Sequence, residues 1–171
     1  MYMKRFFVFI FLCVLLANVK AVKIESGSLR ELAKAGIANF EVDYSNAVIH
    51  GMSEEEFAEY ELDWDKDLPQ ILALFRGNLA ERAGDYLALV TKKKASLTLR
   101  WVVLFINTKG DTKSELHVLD ADGTILAKIV ELNGEGGTFG SKLNLIKDGA
   151  KSSGKKAGSF LKRELKKALK E

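Results

Sequence analysis

Residues 96–132 constrain the fold of this 171-residue chain most tightly, because they hold three apolar-alternating segments separated by two very short turns. In "SLTLRWVVLFINT" (96–108), Leu97, Leu99, Trp101, Val103 and Phe105 recur at every second position, which places their side chains on one face of a strand. Val102, Leu104 and Ile106 form a second apolar set. The far half of this strand is therefore expected to be covered on both faces or to meet a partner. "KGD" is a turn, "SELHVLD" a short strand, and "ADG" a tight turn in which Gly123 supplies the positive φ; "TILAKIVEL" is the next strand. Connections this short join antiparallel neighbours, so the three strands form a meander.

Upstream, Phe40, Val42 and Tyr44 alternate with Glu41, Asp43 and Ser45, a strand that "AVIH" extends. Ser53 followed three residues later by Glu56 is a capping box, with Glu54 and Glu55 where a helix dipole favours carboxylates. Asp67-Leu68-Pro69 looks like a second helix start, and Trp64, Leu68, Ile71, Leu72, Phe75, Leu79 and Ala83 mark a buried stripe. From Gly140 the tail is helical in pattern, with Ala150, Gly154, Ala157, Leu161, Leu165 and Ala168 spaced three or four apart. Residues 22–37 show no sustained period and read as a lead-in. Strand, helix, three strands, helix predicts one α+β domain over residues 38–171. Its expected form is a mainly antiparallel four-stranded sheet with two helices packed on it.

The amino terminus, "MYMKRFFVFIFLCVLLANVKA", has Lys4 and Arg5 before an apolar run from Phe6 to Ala17 and a Val19-Lys20-Ala21 ending. These are the parts of a signal peptide cut after Ala21, and the 12-residue run is short of the roughly 20 residues that span a bilayer. A lipoprotein cut at Cys13 fits poorly, because Leu12 stands where a small residue is needed. Removing residues 1–21 takes away three bases and the only cysteine. The mature chain then holds 23 basic and 23 acidic residues and no thiol. That balance gives no net basic footprint for nucleic acid, and it leaves the core alone to hold an exported fold together.

Several stretches imitate chemical motifs. "GAKSSGKK" resembles a phosphate-binding loop, but Lys156 stands where Ser or Thr must hold magnesium, and no parallel α/β domain follows. It reads instead as a packing helix with small residues inward, and no nucleotide is expected. "DADGTILAKIVE" imitates a calcium loop, yet Ile125 occupies the position that needs glycine. "NGEGGTFG" (133–140) is a flexible connector that exposes backbone N–H groups around Phe139. Its Gly134, Gly136, Gly137, Phe139 and Gly140, with Val102, Leu104 and Ile106, are the candidate partner-binding residues. His50 and His117 have no metal-ligand spacing around them, and no nucleophile elbow or singular carboxylate pair appears. No catalytic, cofactor-binding or metal residue is assigned.

Residues 53–67 carry eight acids against Lys66, and residues 142–171 carry ten bases against three acids. Two solvated helix faces account for this. A basic tail for anionic lipid is the alternative, weakened because its apolar face is expected to be spent on the sheet.

"FEVDYSNAVIHGMSEEEF", "VLDADGTILAKI" and "GGTFGSKLNLIKDGAKSSGKKAGSFLKREL" together resemble an uncharacterised exported Bacteroidota-type protein family, itself similar to bacterial envelope domains of unknown function. That resemblance implies an envelope location, periplasmic or secreted, and an auxiliary module that binds a protein or polymer; it carries over no catalytic residue. The expected function is non-enzymatic partner binding through an exposed sheet edge or the loop at residues 134–140. The alternative is a small-ligand carrier or hydrolase built around His117, Arg100 or Glu131.

Overall fold

The computed structural model describes residues 21–90 and 94–170, so the expected signal peptide, apart from Ala21, lies outside the described residues. In chain order the elements are β1 (Lys23–Gly27), α1 (Arg30–Ala35), β2 (Ile37–Asp43), β3 (Val48–Ile49), α2 (Glu54–Tyr60) and α3 (Trp64–Ala83). After a 3₁₀ turn (Gly84–Tyr86) come β4 (Ala88–Val90), β5 (Thr98–Ile106), β6 (Thr112–Leu119), β7 (Ile125–Gly134) and α4 (Lys142–Ala168). The fold is α+β.

The meander forms as its turns dictate, with β5, β6 and β7 antiparallel neighbours. Gly123, at φ +84, closes the second turn, and Asp120 Oδ1 accepts the backbone N–H groups of Asp122 and Thr124 at 3.0 and 2.8 Å. The rest of the sheet differs from expectation. Among the described residues it has seven strands in the order β1-β7-β6-β5-β2-β4, with β3 beside β5, and it is mixed rather than mainly antiparallel. β2 pairs parallel with both β5 and β4, because the chain leaving β2 returns through α3 and must re-enter the sheet in the same direction. Residues 22–37 are no mere lead-in: β1 adds to β7 as an antiparallel edge strand, and α1 follows it, closed by Gly36 at φ 62. The strand expected to continue through residue 50 breaks at a turn, and β3 resumes the parallel pairing further along β5.

Among the described residues four helices occur where two were expected. The capping box forms: Ser53 Oγ accepts from Glu56 N–H at 3.2 Å and Glu56 Oε2 from Ser53 N–H at 2.8 Å. It starts only the short α2. α3 begins at Trp64, not at Asp67, because the fully buried indole anchors that end and donates Nε1–H to Glu54 Oε1 at 2.8 Å. Pro69 thus lies in the second turn, at an exposed position.

α3 and α4 lie side by side. Gly154 backs onto the Phe75 carbonyl and Gly158 onto the Leu79 carbonyl, while Lys147 meets Asp67 at 2.8 Å. These pairs advance together along both helices, so the two run parallel. "GAKSSGKKAG" is therefore helical throughout, and Gly149, Ala150, Ser153, Gly154, Ala157 and Gly158 are buried. Between helices and sheet runs a chain of aromatic contacts. Phe75 stacks on Trp101 (3.9 Å between centroids, 10° between planes) and on Phe40 (5.8 Å), and Tyr44 meets both Trp64 and Trp101 edge-on. Burying each such ring contributes about 1.5–3 kcal/mol.

Candidate functional site

The glycine-rich connector is the first surface singled out by the sequence, and three of its glycines lie against neighbouring backbone or side chains. Gly134 ends β7 against α4, where a side chain would strike the Gly149 carbonyl and the Ser153 and Thr112 hydroxyls, themselves 2.6 Å apart. Gly136 lies on the Lys109–Gly110 backbone and donates its N–H to Asp111 Oδ1 at 2.8 Å. A Cβ on Gly137 would come 2.5 Å from Asp148 Oδ2. These glycines permit close backbone approach, and the Gly136 N–H is committed to Asp111 instead of facing a partner. Glu135 and Thr138 face outward, as does the tip: Phe139 is 88% exposed, and Gly140 is exposed at φ +127.

The apolar set Val102, Leu104 and Ile106 is also divided. A β-bulge between Val103 and Phe105 inserts a residue against β6 and reverses the alternation beyond it. Ile106 consequently enters the core at 0% exposure and Phe105 leaves it, while Leu104 stays 38% exposed and Val102 half-buried. No single patch contains all three.

On the face away from the helices, the register sets Glu41, Arg100, His117 and Lys128 in one row across β2, β5, β6 and β7. Arg100 pairs with Glu41 at 3.2 Å, and His117 Nε2 lies 2.8 Å from Glu115. Lys128 contacts Glu25 at 3.0 Å and Glu115 at 3.2 Å, bonds that hold its ammonium above the usual lysine range. The row is internally compensated. Arg100 lines a hollow with Glu41, Asn39, Asp120 and Asp122, whereas Glu131, in a β7 bulge at φ 61, lines a separate one with Lys113 and Glu115. His117, Arg100 and Glu131 therefore do not converge on a single cavity. Among the described residues no cluster of three or more His, Cys, Asp or Glu side chains is placed to hold a metal ion.

The third surface lies at the β2 edge, and the sequence hid it. Among the described residues β4 pairs with Ile37, Ala38 and Asn39 of β2, and residues 91–93, which follow it, lie outside the described residues. Asn39 ties this part of β2 to the next loop, its side chain bonding the backbone of Ala95 through both its amide nitrogen (2.7 Å) and its oxygen (3.1 Å). Further along β2 a groove of about 390 Å³ runs between it and α3, lined by Phe40, Glu41, Val42, Pro69, Leu72, Ala73 and Arg76. Its walls are mostly apolar, and Phe40 is fixed by its stack on Phe75. The stripe of α3 signals this indirectly: Leu72, assigned to the buried face, stays half-exposed because it borders the groove.

No family model matches the chain, and no curated relative matches it. Among solved structures it is similar to a PelC dodecamer from Paraburkholderia phytofirmans, with 13% identity over 81% of this chain and 96% of that one and a TM-score of 0.45. A variant of the same PelC dodecamer aligns at 14% identity over 82% and 98% of the two chains, with a TM-score of 0.43.

Proposed function

We propose that this chain is an exported envelope module that acts by binding, and that it takes an extended segment of a protein partner into the groove between β2 and α3. One observation carries this reading: the groove, about 390 Å³ in volume, has mostly apolar walls and runs along Phe40, Glu41 and Val42 of β2. An extended segment laid along a sheet margin gains specificity from alternate side chains that enter such a pocket. The other sheet margins suit it less. β1 is interrupted by a bulge between Ile24 and Ser26, and β3 has only two residues, features that blunt an edge. A matching segment would place apolar side chains over Leu72 and Ala73 and a carboxylate near Arg76. Export is supported by the charged, apolar and small-residue order of residues 1–21.

A photo-crosslinking residue at Ala73 tests the proposal in an envelope fraction. We expect a discrete adduct that disappears in the Leu72→Arg variant, with the fold checked by circular dichroism. Recovery of the protein with no adduct, or equal adduct in the variant, would remove the reading.

A further inference from the structure

The basic residues of the second half of α4 differ in their surroundings. Lys162 and Lys166 are exposed and line no cleft among the described residues, whereas Lys155, Lys156 and Arg163 lie where α4 meets the last turn of α3 and residues 21–22. With Arg82, Ser159 and Phe160 they line an open cleft of about 450 Å³. Among the described residues four cations and no carboxylate line it.

Their partners leave much of that charge unspent. Lys156 bonds Glu135 at 2.9 Å, and Arg163 uses its Nε for Glu164 at 2.6 Å, so its terminal amino groups make no hydrogen bond among the described residues. Arg163 also sits over the Phe160 ring, 5.1 Å from its centroid, a contact that fixes the guanidinium at the cleft wall. Arg82 and Lys155 hold no hydrogen-bond or ion-pair partner among the described residues. Gly158 allows this crowding: a Cβ there would stand 2.7 Å from Arg82 Cβ, so the arginine leaves α3 directly against α4. Like charges gathered this way repel, and a multivalent anion relieves the repulsion while accepting charge-assisted hydrogen bonds. Cleavage at the expected position after Ala21 would add the Val22 ammonium at the same rim.

We propose that this cleft binds a phosphate group, with Arg82 and Lys155 as the principal contacts, Lys156 and Arg163 at the sides and the Ser159 hydroxyl as a further donor. Recognition runs through side chains alone, because within α4 the backbone N–H groups are committed to the helix. The site is thus unrelated to the phosphate-loop geometry that the same lysines suggest in the sequence. It is also independent of the β2 groove.

Calorimetric titration with inorganic pyrophosphate at low ionic strength, alongside sedimentation with vesicles of phosphatidic acid in phosphatidylcholine, tests the proposal and separates a free phosphate from a lipid headgroup. The full chain is expected to bind one or both, and the pair Arg82→Gln and Lys155→Gln to weaken that binding about tenfold or more. The pair Lys162→Gln and Lys166→Gln makes the same change of charge outside the cleft and is expected to alter binding by less than about twofold. Should the first pair fail to fold by circular dichroism, Arg163→Gln replaces it in the comparison. Equal losses in the two pairs, or no binding of pyrophosphate or vesicles by the unaltered chain, would overturn the proposal.

Discussion

Asp111 joins two loops that the sequence shows as unrelated. Its Oδ1 accepts the Gly136 N–H at 2.8 Å and its Oδ2 the Asn107 side-chain amide at 2.9 Å, and these bonds, the Gly136 bond first, hold its carboxyl below the usual carboxylate range. A carboxylate whose folded pKa is depressed contributes stability above its unfolded pKa of about 3.9 and loses it as pH falls through the folded value. Asp111→Ala is therefore expected to cost about 1–2 kcal/mol at pH 7. Its stability should also fall less steeply than wild type as the pH drops below about 4. Urea unfolding at both pH values checks this, and wild-type midpoints at pH 7 would refute it. The case also shows what was legible at single residues. The density of glycines at 133–140 was plain, but their use depends on Asp111, Lys109 and Gly149, far away in the chain. Ile106 failed for a related reason: alternation assumes an unbroken register, and one bulge inverted every position after it.

Among the elements, those with long, regular patterns were readable and those with short ones were not. The meander, the α2 cap and the small-residue stripe of α4 follow from local rules. β3, at two residues, is too short to show a period, β4 is described over three residues, and β1 is bulged between Ile24 and Ser26. The parallel pairing of β2 with β5 could have been found, since a helix between two strands permits the return that parallel neighbours need. The groove went unseen with it, because its walls come from β2 and α3, which only the folded chain brings together. The helix pair allows a sharper test. Alanine normally improves a helix interior over glycine by about 0.5–1 kcal/mol, which is the stabilisation expected of Gly77→Ala, where a Cβ meets nothing within 4 Å. At Gly154 a Cβ would strike the Phe75 carbonyl, so Gly154→Ala should destabilise by about 1–3 kcal/mol despite the same propensity gain. Opposite signs in urea unfolding are expected; two stabilising substitutions would show that α3 and α4 can part without cost.

For the whole molecule, the acidic and basic blocks turn out to be one arrangement. Because α3 and α4 run parallel, their amino-terminal ends come together, and Lys142 and Lys147 lie near the positive end of their own helix dipole. The acids of residues 53–67 offset that conflict: Glu61 lies 3.8 Å from Lys142 and Asp67 2.8 Å from Lys147. The two pairs differ in burial, with side-chain exposures of 44% and 24% in the first and 18% and 16% in the second. Exposed pairs contribute about 0–1 kcal/mol and vanish into salt, whereas a shielded pair left half-broken strands a charge. Asp67→Asn is accordingly expected to lose about 1–2 kcal/mol, more than Glu61→Gln, and to keep most of that loss at about 1 M NaCl. Adding Lys147→Met to Asp67→Asn should recover part of the stability by removing the stranded ammonium, leaving a coupling of about 1 kcal/mol between the two positions. Additive losses in that double-mutant cycle would mean that the two blocks lie side by side without stabilising the helix pair, and that their attraction is free to act on another molecule.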